Sequence, residues 1–223
     1  MPETRTAALL GATGLVGSCC LQHLLQDSSY NEVRVLVRRP LSLRHPKLRI
    51  IEVDYEQPFS QAAALGADDV FCCLGTTIKK AGTREAFRKV DFDFPVNAAA
   101  IAAEQGAKQF LLITALGANP ESRVFYNRVK GDAEQAVRRL PFAAVHIFRP
   151  SMLLGDRKEF RPAEKAGAAF MTSLSFLFVG KWRKYRAIEA DVVARAMVYA
   201  AGQRRSGLQV YESDAIQEMG AHG

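Results

Sequence analysis

A short apolar run that ends in a glycine-rich turn is the feature that most constrains this chain. TAALLG (6–11) has the length and composition of a buried strand, and residues 15–26 carry apolar side chains at helical spacing. Between them, Gly11, Gly14 and Gly17 allow a sharp turn and a close approach of helix to strand. Backbone N–H groups at such a helix start attract anions, so the turn is predicted to bind the diphosphate of a dinucleotide. The spacing GxxGxxG makes this loop one residue longer than the commonest dinucleotide pattern, GxGxxG.

Strand-like and helical segments alternate along most of the chain. This alternation predicts an α/β protein with a doubly wound parallel sheet, and strands that are apolar on both faces fit a sheet covered by helices. The predicted strands after the first are 33–39, 48–54, 68–75, 107–115, 142–150 and 209–213. The predicted helices after the first are 83–105, broken at Pro95, then 119–139, which starts at Asn119-Pro120-Glu121, and 190–201.

The region 151–186 is where the alternation fails. Because it follows the sixth predicted strand, it lies near the carboxyl ends of the strands, where open α/β sheets bind ligands. We therefore expect residues 1–223 to form a single dinucleotide-binding domain, with a small annex over about 151–186 that forms the substrate cleft. The longest apolar stretch, 166–180, is too short to span a bilayer.

Charge and cysteine usage exclude several classes of protein. The chain carries a net charge of +7 but shows neither aromatic stacking platforms nor a known recognition motif, so we expect no nucleic-acid partner. The cysteines form two adjacent pairs, Cys19-Cys20 and Cys72-Cys73, which suit neither a disulfide within a pair nor a metal site. Core cysteines and the lack of a secretory signal pattern predict a reducing compartment, and we expect the cytoplasm.

Two arginines at the end of the second predicted strand indicate which dinucleotide binds. A fold that prefers NAD usually places an acid there to hold the ribose 2′-hydroxyl. Arg38 and Arg39 stand there instead, and a guanidinium suits a 2′-phosphate, so we predict NADP(H). Asp54, at the end of the third predicted strand, is expected to meet the adenine edge. Further cofactor contacts are expected from Thr13, Leu15 and Val16 in the glycine turn and from Leu74, Gly75 and Thr76 in LGTT (74–77).

A tyrosine and a lysine stand four residues apart on the helix that follows the fifth predicted strand. Tyr126 and Lys130 therefore share one helix face, about 6 Å apart along the axis. An ammonium group near a phenol stabilises the tyrosinate, and such a phenol can exchange a proton with a carbonyl or an alcohol during hydride transfer. Lys130 is also a candidate to hold the nicotinamide ribose. The Thr114 hydroxyl, at the end of the fifth strand, is a candidate to hydrogen-bond the substrate oxygen.

Together these residues resemble the short-chain dehydrogenase/reductase superfamily, and more narrowly its atypical branch related to the Tat-interacting-protein oxidoreductases. The resemblance implies a Rossmann fold, NADPH as cofactor, Tyr126 and Lys130 as the catalytic pair, and Pro150 and Ser151 near the nicotinamide. One departure concerns the fifth strand, which ends in Thr114-Ala115 where commoner members have two serines. The matching stretches are GATGLVG (11–17), VRVLVRRP (33–40), DDVFCCLGTTIKKAGTREAFRKVD (68–91), LLITALGANPESRVFYNRVKG (111–131), IFRPSMLLGDR (147–157) and IEADVVARAM (188–197).

Three functions fit these residues. The first is an NADP(H)-dependent oxidoreductase that acts on a small carbonyl or alcohol substrate. The second is a non-catalytic NADPH-binding redox sensor, which needs neither Tyr126 nor Lys130, and the third is a sugar-type epimerase that uses the bound cofactor. Both a monomer and a homodimer are compatible with the sequence.

Overall fold

A seven-stranded parallel sheet in the order β3-β2-β1-β4-β5-β6-β9 forms the centre of the protein, which confirms the predicted α/β class. The structure is a computed structural model that describes residues 4–57, 62–155 and 180–222. Two further strands pair with each other as a small parallel ladder. The strands are β1 (Arg5–Leu10), β2 (Tyr30–Val37), β3 (Leu48–Glu52), β4 (Asp69–Cys72), β5 (Gln109–Ile113), β6 (Ala144–Arg149), β7 (Leu153–Leu154), β8 (Ile188–Glu189) and β9 (Gly207–Glu212).

Helices cover both faces of this sheet, as a doubly wound fold requires. Neighbouring residues of β1 show the arrangement: Leu9 belongs to the apolar cluster on one face and Leu10 to the cluster on the other, and neither is exposed. Within the described residues the helices are α1 (Leu15–Gln26), α2 (Ala62–Leu65), α3 (Ile78–Ala81), α4 (Arg84–Arg88), α5 (Phe94–Glu104), α6 (Phe125–Val137), α7 (Ala190–Gly202) and α8 (Ser213–Gly220), with a π-helical turn at Lys89–Asp93 and a 3-10 helix at Gly180–Tyr185.

Two helix boundaries differ from the predicted ones. Pro95 does not break its helix, because the π-helical turn leads directly into α5 and places Pro95 at the second position, where a missing N–H costs little. The helix predicted from Asn119 begins only at Phe125. The Asn119 side chain accepts a hydrogen bond from the backbone N–H of Glu121 (2.9 Å), and its carbonyl accepts one from Ser122 (3.0 Å), so the capping signal closes a turn.

The predicted annex is described only at its two ends. Residues 151–155 contain β7, and residues 180–186 contain the 3-10 helix that precedes β8. The remainder of the annex, 156–179, lies outside the described residues.

Buried polar groups form a chain across the sheet, starting from the first residues of β1, β4 and β5. Arg5 donates to one carboxylate oxygen of Asp69 (2.6 Å), and the Gln109 amide donates to the other (2.9 Å). His146 then bridges the Gln109 carbonyl oxygen and the Tyr211 hydroxyl, both at 3.1 Å. Each group thus keeps a partner at the edge of the sheet opposite the glycine turn.

His146 should make the stability of the protein depend on pH. Burial, with a smaller contribution from Arg205, lowers the pKa of His146 to about 4, against 6.5 ordinarily. Because the unfolded chain binds this proton at higher pH than the folded chain does, the free energy of unfolding should fall by about 2–3 kcal/mol as the pH drops from 6.5 towards 4. Urea unfolding at pH 7 and pH 4.5 measures this loss, which His146→Gln should reduce; an equal loss in both proteins would contradict the assignment.

Candidate active site

The glycine turn brings the start of α1 against the ends of β1 and β4. Gly11 has a φ of +82°, and a Cβ at this position would lie 2.6 Å from the Cys73 carbonyl oxygen. A Cβ on Gly17 would lie 2.1 Å from the Gly11 carbonyl oxygen. The backbone N–H of Gly14 donates to the same oxygen (2.9 Å). Gly11 and Gly17 therefore permit close backbone contacts that a side chain would prevent.

The start of α1 is suited to an anion. Thr13 and Gly14 are exposed, and Gly14 at the N-cap position supplies no side-chain hydrogen bond to the helix. The first turn of α1, with Leu15 half-buried and Val16 buried, contains no acidic residue. Backbone N–H groups and the positive end of the helix dipole are thus left for a diphosphate, and these residues fit a dinucleotide cofactor.

The close approach at Gly17 gives a test of the turn by itself. Gly17→Ala places a methyl group inside the contact distance of the Gly11 carbonyl, so we expect a loss of about 1–3 kcal/mol in the free energy of unfolding. Gly202→Ala, in α7, is the matched control because a Cβ there meets no atom within 4 Å. Urea denaturation of both variants measures the difference. Equal stability of the two variants would show that the turn relaxes without cost.

The charged residues predicted to hold the adenosine end lie beyond the glycine turn on the same edge of the sheet. Arg38 and Arg39 directly follow β2 and are exposed. Asp54, two residues beyond β3, is also exposed, and one of its carboxylate oxygens accepts a hydrogen bond from the backbone N–H of Glu56 (2.9 Å). Because β2 pairs in parallel with both β1 and β3, all three side chains begin from the carboxyl edge of the sheet.

Tyr126 and Lys130 lie one turn apart on α6, in different surroundings. The Tyr126 ring is half-buried, packs against the Phe87 ring (5.4 Å between centroids) and lines a cleft. The Lys130 side chain is only 5% exposed, and its ammonium lies 2.7 Å from an oxygen of the fully buried Asp91 carboxylate. Burial lowers the pKa of Lys130, but Asp91 and the Tyr126 phenol raise it, and the net direction is upward. The contact with Asp91 therefore favours the charged ammonium form of Lys130.

The loop after β4 rests directly on this ion pair. The backbone N–H of Thr76 donates to the second Asp91 oxygen (2.9 Å), and Gly75 lies above the Asp91 carboxylate and the Lys130 ammonium. Leu74 is half-buried and Gly75 is exposed. The loop 74–77, which is predicted to run beside the cofactor, is thus held in place by its contacts with the buried Asp91–Lys130 pair.

An open cleft of about 740 Å³ lies beside Tyr126. The predicted nicotinamide neighbours Pro150 and Ser151 line it, and the Ser151 hydroxyl donates to the Arg186 carbonyl and lies 3.0 Å from the Ser213 hydroxyl. The full lining comprises Ala115, Leu116, Gly117, Tyr126, Asn127, Pro150, Ser151, Met152, Lys184, Tyr185 and Glu212.

Thr114 does not line this cleft, although the residue after it, Ala115, does. The buried Thr114 hydroxyl donates to the Glu134 carboxylate (2.7 Å), which the Arg149 guanidinium also binds (2.9 Å). Side chains alternate along an extended segment, so Ala115 rather than Thr114 faces the site. The prediction that Thr114 contacts the substrate oxygen finds no support in this geometry.

Sequence reasoning overlooked several residues of the site. Asp91 was not singled out, because it stands in a segment rich in charged residues, REAFRKVDFDF (84–94), where nothing in the sequence shows which charge is buried. Asn127 follows Tyr126 and lines the cleft, where Lys184 and Glu212 form an ion pair (2.8 Å). The pairing of Lys184 with a residue at the end of β9 depends on tertiary structure alone.

Comparison with known proteins decides the family. A family model described as NAD(P)H-binding matches residues 11–175. The chain belongs to this NAD(P)H-binding family. Rat HTATIP2 is 34% identical to this NAD(P)H-binding protein over 223 residues, which cover 98% of this chain and 90% of HTATIP2. The protein is thus an atypical short-chain dehydrogenase/reductase related to HTATIP2, as its motifs predicted.

Solved structures of low sequence identity share the fold. WbmH of Bordetella bronchiseptica in complex with NAD⁺ superposes with a TM-score of 0.70 at 16% identity, covering 98% of this chain and 80% of WbmH. MoeE5 in complex with UDP-glucose and NAD gives a TM-score of 0.66 at 16% identity, covering 97% and 81% of the two chains. These similarities confirm the Rossmann fold.

The expectation of a cytoplasmic protein is wrong. FMP52 of Eremothecium gossypii, which is named mitochondrial, is 36% identical over 217 residues that cover 96% of each chain, and the Aspergillus niger and Emericella nidulans relatives are also named mitochondrial. Core cysteines are compatible with any reducing compartment, so they do not separate one such compartment from another. Across 4–57, 62–155 and 180–222, no helix combines the length and apolar character needed to cross a membrane.

Proposed function

We propose that this protein is an NADP(H)-dependent oxidoreductase that transfers hydride between nicotinamide and a small carbonyl or alcohol substrate. The observation that carries the proposal is the position of Tyr126, which lines the cleft one helical turn from the buried ammonium of Lys130. Both lie at the carboxyl edge of an NAD(P)H-binding sheet, where open α/β folds bind their ligands.

The residues of this edge have separate roles in holding the cofactor. Backbone N–H groups in the first turn of α1 bind the diphosphate, and Arg38 and Arg39 bind the 2′-phosphate. Asp54 meets the adenine edge, Leu74, Gly75 and Thr76 follow the ribose and phosphates, and Pro150 and Ser151 lie beside the nicotinamide. When bound, NADPH supplies the hydride.

Tyr126 carries the proton in this mechanism. In carbonyl reduction its phenol donates a proton to the substrate oxygen, and the Lys130 ammonium stabilises the tyrosinate that remains. In alcohol oxidation the tyrosinate accepts the proton. Lys130 also remains our candidate for the nicotinamide ribose. Thr114 has no part, because its hydroxyl donates to Glu134.

Turnover of NADPH tests the proposal. Purified protein is incubated with NADPH and a panel of aliphatic and aromatic aldehydes and ketones, and loss of absorbance at the nicotinamide band is recorded. We expect at least one carbonyl to be reduced with stoichiometric consumption of NADPH. Binding of NADPH without reduction of any member of the panel would count against an oxidoreductase.

A non-catalytic NADPH sensor is the second candidate. It is favoured by one observation, which is that Ala115 faces the cleft while the Thr114 hydroxyl donates to Glu134. The end of β5 therefore provides no hydroxyl that could hydrogen-bond the substrate oxygen. This candidate predicts NADPH binding with no turnover and an unchanged affinity in Tyr126→Phe.

The mitochondrial names of the FMP52 relatives favour mitochondria as the location of either function.

A further inference from the structure

The two oxygens of the Asp91 carboxylate have different partners. One oxygen lies 2.7 Å from the Lys130 ammonium, and the other accepts a hydrogen bond from the Thr76 backbone N–H (2.9 Å). Asp91 stands on the π-helical turn Lys89–Asp93, so it reaches this position from a different element than α6. A single side chain thereby connects the lysine of the proposed catalytic pair to the loop proposed to follow the cofactor.

This charge pair lies immediately beneath the backbone of Gly75. A Cβ built on Gly75 would be 3.5 Å from the near oxygen of Asp91 and also 3.5 Å from the Lys130 nitrogen. Water is excluded from both side chains, which are 0% and 5% exposed. Taking an ammonium out of water is costly, so an unpaired lysine at this position would favour the neutral amine.

The other titratable groups near Lys130 do not replace Asp91. The Tyr126 phenol lies on the same helix, and the Cys72 thiol lies at the end of β4. Burial raises the pKa of Cys72 to about 12, so this thiol is neutral in the working range. Asp132, also on α6, forms an ion pair with Arg88 (3.1 Å). Among these described neighbours, Asp91 is the carboxylate in contact with the ammonium.

We propose that Asp91 is a positioning residue that keeps Lys130 charged and fixes it beneath Gly75, and so acts on Tyr126 through Lys130. The consequence for catalysis rests on the proposed function, whereas the charge state of Lys130 does not. Asp91→Asn preserves shape but replaces one acceptor by an NH₂ donor. The new NH₂ group faces either the Thr76 N–H or the Lys130 nitrogen. When it faces Lys130, it favours the neutral amine, because only the neutral nitrogen can accept a hydrogen bond from the NH₂ group.

The charge state can be measured in the protein without cofactor. Lysine labelled with ¹³C at Cε gives an NMR shift that distinguishes ammonium from amine, and Lys130→Met assigns the signal. In the wild type, we expect Lys130 to keep its proton up to the pH at which exposed lysines lose theirs, or higher. In Asp91→Asn, we expect Lys130 to lose its proton at a lower pH than in the wild type. Asp93→Asn, on the same π-helical turn with the same change in net charge, should leave the titration unchanged.

The pH dependence of turnover separates this role from a merely structural one. Asp91→Asn should retain activity at pH 6. Between pH 6 and pH 9 its kcat should fall at least ~10-fold more than the kcat of the wild type does, because the neutral amine no longer stabilises tyrosinate. A structural defect would lower activity by one factor at all pH values. A wild-type Lys130 that is neutral at pH 7, or one whose titration is the same in Asp91→Asn, would overturn the proposal even if no substrate is found. If Asp91→Asn does not fold, the wild-type titration alone decides.

Discussion

Replacing Tyr126 with Phe is expected to lower kcat by about 10²–10⁴-fold while leaving the Kd for NADPH nearly unchanged. The phenol lines the cleft and lies a turn away from the buried Lys130 ammonium, so its hydroxyl is placed to exchange a proton with a substrate oxygen. Phe preserves the ring and its packing against Phe87. Only the proton and the hydrogen bond are lost, and steady-state kinetics together with calorimetric titration measures the two effects separately.

Tyr199→Phe is the matched control for this experiment. Tyr199 is half-buried on α7 and is not among the residues that line the cleft. Loss of its hydroxyl should therefore leave kcat within about twofold of wild type. Equal turnover in Tyr126→Phe and wild type would exclude the tyrosine mechanism, and loss of NADPH binding in Tyr126→Phe would move the residue's role from proton transfer to cofactor binding.

The second large effect concerns the choice of cofactor. Replacing Arg38 and Arg39 together with Ala should weaken NADPH binding by about 2–4 kcal/mol, because two guanidinium contacts to the 2′-phosphate are lost. NADH has no such phosphate, so its affinity should change little. Titration calorimetry with both nucleotides measures the ratio, and an unchanged preference would contradict the assignment to NADP(H).

A general effect of charge must be separated from this local one. Arg139→Ala with Arg205→Ala removes the same net charge from exposed positions near the amino-terminal edge of the sheet. This control should bind NADPH almost as wild type does, because charges separated by more than a Debye length are screened in salt. If it weakens NADPH as much as the Arg38/Arg39 variant, net charge rather than local contact explains the preference.

The fold was predictable because its signals are local. The strand before Gly11 and the helix after it follow from apolar spacing, and α1 begins and ends where the pattern predicts. Asn119 shows the limit of such signals. An asparagine that closes a turn and one that caps a helix have the same local sequence, and the difference depends on where the tertiary structure needs the helix to begin.

The candidate site was predictable only in part. Tyr126 and Lys130 share a helix face by spacing alone, but the partner of Lys130 comes from a π-helical turn 39 residues earlier, which no spacing reveals. Alternation shows that Thr114 and Ala115 point in opposite directions, but which of them lines the cleft follows only from the tertiary structure, where Thr114 donates to Glu134 and Ala115 lines the cleft. The short helix α8 was missed because eight residues offer too little periodicity.

Calorimetric titration of the purified protein with NADPH and, separately, with NADH tests the central claim most directly. The glycine turn and the two arginines beside it predict that each chain takes up one NADPH and binds it more tightly than NADH. Uptake of neither nucleotide would contradict the cofactor site, and with it the roles proposed for Tyr126 and Lys130.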